Sequence, residues 1–136
     1  MASFENRLTG ARRVAAPFPF LKVSDIEARL GTRYTADTIA RMKMRLPHIR
    51  FVWLMGADNL KQLPRWRGWV RLMRLLPVAV MARPAYSLPA LAGKAAKRFE
   101  RLRTKPGKLT RSKPPAWSFL WLKEHPASAT DIRAHL

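Results

Sequence analysis

A chain of 136 residues with 48% hydrophobic content is long enough for one core and no more. The absence of Cys excludes a disulfide framework, a thiolate metal site and a Cys nucleophile, which suits a cytosolic protein, and no apolar run reaches the ~20 residues that span a bilayer. The 27 Lys and Arg against 8 Asp and Glu give a net charge of +19, which implies an anionic partner such as nucleic acid or phosphorylated small molecules.

In chain order the pattern alternates helix and strand. The first residues lack the apolar core of a signal peptide. Phe4, Leu8, Ala11 and Val14 or Ala15 recur at helical spacing, which predicts an amphipathic helix over 1–15. The apolar run 18–23, with prolines at its start, reads as a short strand. Thr35 or Asp37 can cap a helix through Ile39, Met42 and Leu46 that stops at Pro47. A buried strand over 49–55 ends abruptly in Gly56-Ala-Asp58, and short helices follow over 59–63 and 69–76, interrupted by Pro64 and Gly68. A β-rich run over 78–82 precedes Arg83-Pro84. Leu88, Leu91, Ala92, Ala95, Phe99 and Leu102 then line one face of a helix whose other face is basic. Residues 104–115 read as a loop, 117–122 as a strand, and Ser128 or Thr130 as the N-cap of a last helix. Trp53, Trp69, Trp117 and Trp121 read as core aromatics.

Strands separated by helices predict a parallel sheet with right-handed crossovers. The loops after three of the strands then share one edge, where ligands of open α/β sheets bind. Gly56 admits a ligand close to the backbone, and Asp58 can accept hydrogen bonds from ribose hydroxyls. Ser128 and Thr130 at a helix start favour phosphate, and Arg133 adds a positive charge one turn on. Each element has an ordinary alternative: an Asx turn at Gly-x-Asp, a plain cap at Ser-x-Thr, a common loop dipeptide at Arg-Pro, a surface charge at Arg133. Their joint placement carries the reading of a nucleotide-handling edge. The dense basic run from Lys94 to Lys113 reads as a solvated helix face or as an electrostatic footprint for nucleic acid. A nucleic-acid module leaves Gly56-Ala-Asp58, Trp66 and 128–133 unexplained; an inert interaction remnant would bind neither nucleic acid nor nucleotide.

The order Gly31-Thr-Arg-Tyr-Thr-Ala-Asp-Thr38, Phe51-Val-Trp-Leu-Met-Gly-Ala-Asp-Asn59, Arg65-Trp66, Ala82-Arg-Pro84 and Ser128-Ala-Thr-Asp-Ile-Arg133 closely resembles bacterial nicotinate-nucleotide adenylyltransferase. The resemblance runs the length of the chain and implies an α/β, Rossmann-like nucleotidyltransferase fold with a parallel sheet, as one domain over 1–136. It implies transfer of AMP from ATP to nicotinate mononucleotide, giving nicotinate adenine dinucleotide and pyrophosphate in NAD synthesis, with Mg²⁺ accompanying the ATP. Thr35 would help hold the nicotinate carboxylate, Trp66 would stack on the pyridine ring, and the backbone of Arg67 would lie beside the carboxylate. Gly56, Asp58 and Arg83 would line the nucleotide cleft, while Ser128, Thr130 and Arg133 would bind ATP phosphates. Neither a membrane nor nucleic acid is an expected partner.

The chain departs from the family at its start. It contains no Gly-x-Phe-x-Pro and no His-x-Gly-His; His48, His125 and His135 are scattered and match neither imidazole of that motif. Helix 1–15 resembles an interior helix of the family, so the fold is expected to be N-terminally incomplete by at least one strand–helix unit, about 30 residues or more. No catalytic residue and no protein metal ligand is assigned. The chain made as written is expected to be poorly stable and inactive. Ala85 also stands where the family often has Gly after Arg-Pro, and Arg67 where an aromatic can sit.

Overall fold

The computed structural model describes residues 3–122. The chain divides into two compact units, Met1–Arg33 and Tyr34–Leu136.

In the first unit α1 (Phe4–Ala15) begins at Ser3, whose hydroxyl accepts the Asn6 N–H at 3.2 Å. Arg12 and Arg13 in its last turn complement the helix dipole. The helical periodicity is realised, yet α1 buries no residue. The short α2 (Ile26–Leu30) closes at Gly31, whose φ of 67° is the left-handed conformation glycine adopts without penalty. The strand expected over 18–23 does not form. The Phe18 N–H donates to Ala15 O at 2.9 Å and the Leu21 N–H to Phe18 O at 3.0 Å, so the run winds through turns. Pro17 and Pro19 offer no N–H to a ladder and favour that outcome.

The second unit carries α3 (Thr35–Arg45), β1 (Trp53–Gly56), α4 (Ala57–Gln62), a 3₁₀ turn (Leu63–Arg65) and α5 (Trp69–Leu75). There follow β2 (Val78–Met81), α6 (Ser87–Leu91), α7 (Lys94–Arg98), 3₁₀ turns at Glu100–Leu102 and Pro106–Arg111, and β3 (Trp117–Leu120). The strands pair in the order β1-β2-β3, all parallel, with Trp53 opposite Val78 and Val78 opposite Trp117. Gly56, Met81 and Leu120 form the last rung. This is the expected α/β architecture, a Rossmann-like parallel sheet joined through helices.

One sheet face supplies Met55, Val78, Val80, Trp117 and Phe119 to a core completed by Ile39, Leu60, Leu72 and Met73. Each such side chain contributes about 1.5–3 kcal/mol when fully buried. Trp117 is 2% exposed, and its indole N–H donates to Phe99 O at 2.7 Å, which satisfies the polar atom that burial would otherwise penalise. On the other face Ala79 packs with Leu109 and Ala116.

Several boundaries differ from the pattern. The first strand of the sheet begins at Trp53, because Trp53 N–H donates to Pro77 O at 2.9 Å at the first rung. The residue before α3 is Tyr34, with extended backbone, so neither Thr35 nor Asp37 is the cap; they are the first and third helical residues. The helix expected over 88–102 is broken at Gly93, whose ψ of 172° is extended, into α6, α7 and a 3₁₀ turn. The third strand stops at Leu120, leaving Trp121 61% exposed rather than in the core.

Candidate functional site

Parallel strands place their C-terminal ends on one edge, and the loops leaving that edge carry Gly56, Asp58 and Arg83. These three converge. A Cβ built on Gly56 would stand 2.5 Å from Oδ1 of Asp58 and 3.3 Å from Cγ of Arg83. The absence of a side chain at position 56 is therefore what lets the carboxylate and the arginine approach the strand end. Asp58 is half-buried at the start of α4, and its Oδ1 has no hydrogen-bond partner among the described residues. A buried acceptor left open in this way is costly unless a ligand donates to it.

Arg83 is held by its own loop. Its backbone N–H donates to Ser87 Oγ at 3.0 Å, and the Ser87 hydroxyl donates to Arg83 O at 3.1 Å. Between them Ala85 takes a φ of 64°, the left-handed region that disfavours a Cβ. The expectation that glycine suits this position therefore has a backbone cause.

A second cluster forms where the loop before α5 meets the first turn of α3. Trp66 follows the 3₁₀ turn, half-buried against the core, with its N–H donating to Leu63 O at 2.9 Å. The Arg67 guanidinium lies 5.0 Å from the centre of the Tyr34 ring, in cation–π contact. A Cβ on Gly68, whose φ is 70°, would stand 3.4 Å from the Ala36 methyl. Thr35 is the first residue of α3, between Tyr34 and Ala36. The ion pair of Arg71 on α5 with Asp37 on α3, at 2.8 Å, ties the same two helices. Within the first turn of α3 the Asp37 and Thr38 N–H groups donate to Tyr34 O at 3.0 and 3.1 Å, and Thr35 brings a hydroxyl to the helix start.

Of the predicted site residues, Gly56, Asp58 and Arg83 are thus gathered into one cluster, while Trp66 and Arg67 lie in the loop whose Arg67 reaches Tyr34, the residue before Thr35. Ser128, Thr130 and Arg133 lie outside the described residues. The sequence reading did not single out Tyr34 or Ser87. The signal for Ser87 was its place four residues after Arg83, within reach of a one-turn side-chain bond; nothing local marked Tyr34 as the platform for Arg67. Among the described residues no group of three or more His, Cys, Asp or Glu gathers as a metal site, and no helix is long and apolar enough to cross a membrane.

No family model matches the chain. It is 49% identical over 128 residues to a probable nicotinate-nucleotide adenylyltransferase of Cereibacter sphaeroides, covering 94% of this chain and 69% of that protein. Proteins of the same name from Parvibaculum lavamentivorans and a Ruegeria species are 48% and 43% identical, over 98% and 97% of this chain and 67% and 71% of their own lengths. The chain therefore spans about two thirds of the length of these curated relatives. Likeness at this level, sustained along almost the whole chain, shows that the chain belongs to the nicotinate-nucleotide adenylyltransferase family.

Proposed function

We propose that this chain works in NAD biosynthesis by positioning nicotinate mononucleotide for AMP transfer from ATP, with nicotinate adenine dinucleotide and pyrophosphate as products. The observation that carries this is the open, buried Oδ1 of Asp58 beside Gly56 and Arg83 at the carboxyl edge of a parallel sheet. Such an acceptor suits a sugar hydroxyl, and the adjacent guanidinium suits a phosphate. Trp66 offers its face to the cationic pyridine ring. Thr35 at the start of α3 helps hold the pyridine carboxylate, with the Arg67 backbone beside it.

The reaction is an in-line displacement. A phosphate oxygen of nicotinate mononucleotide bonds to the α-phosphorus of ATP as the bond to the β-phosphate oxygen breaks and pyrophosphate leaves. Positioning and charge neutralisation suffice, so no protein nucleophile is needed. Ser128, Thr130 and Arg133 are the proposed ATP-phosphate contacts. Mg²⁺ enters this reading with its substrate: one carboxylate at the edge suits an ion carried on phosphate oxygens rather than one caged by protein ligands. A chain without Cys and without a membrane-spanning helix among the described residues supports a cytoplasmic setting.

These 136 residues contain no His-x-Gly-His to polarise the ATP phosphates, so the polypeptide is expected to bind nicotinate mononucleotide without turning over. Tryptophan fluorescence during titration with nicotinate mononucleotide tests the first half. Saturable quenching that Trp66→Ala removes supports the reading, whereas salt-sensitive DNA binding with no affinity for the nucleotide overturns it. A pyrophosphate-release assay tests the second half; turnover at the rate of a full-length relative would refute it.

A further inference from the structure

The opposite edge of the sheet holds a second hollow. Phe51 lies just before β1, Pro77 just before β2 and Pro114 shortly before β3, and all three line a cavity of about 380 Å³. Because the strands are parallel, this is their amino edge. A four-residue strand separates it from the Gly56 edge by about 10 Å, so one small molecule does not fill both.

The chemistry of its wall is one-sided. Lys43, Arg50, Arg111 and Lys113 line it, and no Asp or Glu does. Among the described residues none of the four has a carboxylate partner. Lys43 is half-buried and donates to Leu75 O, which fixes its ammonium at the wall and leaves further N–H donors free. Thr110 and Ser112, on either side of Arg111, add hydroxyls to the lining, the Ser112 hydroxyl donating to Lys108 O at 2.8 Å. The lining also has an apolar part, with Phe51, Leu75 and Leu76. Four like charges around a hollow repel one another unless an anion sits among them. Two guanidiniums favour the forked geometry of a phosphate, and the apolar part of the lining favours a flat hydrophobic body. The volume is that of a small-molecule site.

We propose that this amino-edge cavity binds a small phosphate monoester with a flat apolar body, the phosphate against Arg111, Lys113, Arg50 and Lys43 and the body against Phe51 and Leu76. The site is separate from the nucleotide edge and does not depend on the function proposed above.

Phenyl phosphate is the probe, with inorganic phosphate and phenol as comparison arms, titrated into the ¹⁵N-labelled chain while amide shifts are followed. Saturating shifts at Phe51, Leu76 and Thr110 to Lys113 are expected, with phenyl phosphate bound roughly ten-fold more tightly than either comparison molecule. The double variant R111A/K113A, which changes two exposed side chains, is expected to weaken this binding by roughly ten-fold or more. Any shifts at Trp66 or Asp58 are expected to persist in that variant. Equal binding of inorganic phosphate, shifts scattered along Lys94 to Arg103 that vanish with salt, no saturable shift at the cavity, or a double variant that binds as before would each overturn the assignment.

Discussion

A methyl group at position 56 would meet Asp58 Oδ1 at 2.5 Å, a distance at which the carboxylate has to move. Pushing it off its rotamer costs about 0.5–1.5 kcal/mol, a small stability loss, but it carries the open acceptor away from the edge. Gly56→Ala is therefore expected to lower the melting temperature by a few degrees and nicotinate mononucleotide affinity by roughly ten-fold or more. Calorimetric titration checks this, and unchanged affinity would detach Gly56 from the site. At Ala85 the sign reverses. A φ of 64° burdens an L residue by roughly 1–2 kcal/mol, partly offset by the greater chain entropy a glycine would lose. Ala85→Gly should thus stabilise the protein by up to about 1 kcal/mol in urea denaturation; a loss would mean that the loop prefers its Cβ. Gly56, Asp58 and Arg83 were legible because a glycine and charged groups follow apolar runs directly. Tyr34 was not, since its part is set by an arginine brought to its ring from another loop.

Elements were legible where a local pattern is self-sufficient and less so where a partner decides. The α3 periodicity and its stop before Pro47 depend on residues one turn apart, and the helix matches. Strand ends depend on the neighbour: Ile49 and Phe51 are as apolar as Met55, but the ladder with β2 begins only at Trp53. The helix expected over 88–102 fails for another reason, since its apolar face is continuous in sequence while Gly93 interrupts the backbone. The approach to α5 shows an element boundary that also shapes the site. Gly68 is its N-cap at φ 70°, and the Ala36 methyl would lie in ordinary contact with an added Cβ at 3.4 Å, so conformation and not space is the constraint. Gly68→Ala is expected to cost about 1–2 kcal/mol in urea denaturation. It should also weaken the nicotinate mononucleotide signal of Trp66, because the turn sets Trp66 and Arg67 against α3. A variant as stable as the parent would show that another turn geometry serves equally.

At the scale of the whole sheet the two outer strands are treated differently. The outer side of β3 is engaged: Thr104 N–H donates to Trp117 O at 2.8 Å, and the Ser118 hydroxyl donates to Thr104 O at 2.7 Å. The outer side of β1 has no strand beside it among the described residues, and Leu54 on that strand is 59% exposed. The buried Nε1 of Trp53, on the same strand, has no hydrogen-bond partner among the described residues. An apolar strand with an open edge is a template for pairing with another chain. A net charge of +19 opposes that pairing through repulsion, so association should grow as salt screens it. Leu54→Glu places a charge on the open strand without touching the core face. It is expected to leave stability within about 0.5 kcal/mol while suppressing the concentration-dependent growth of light scattering in high salt. Met55→Glu, one residue on and 3% exposed, is expected instead to unfold the sheet, because its side chain faces the core against α4 and β2. If Leu54→Glu scatters as strongly as the parent, the contact lies elsewhere and β1 is protected by some means other than charge.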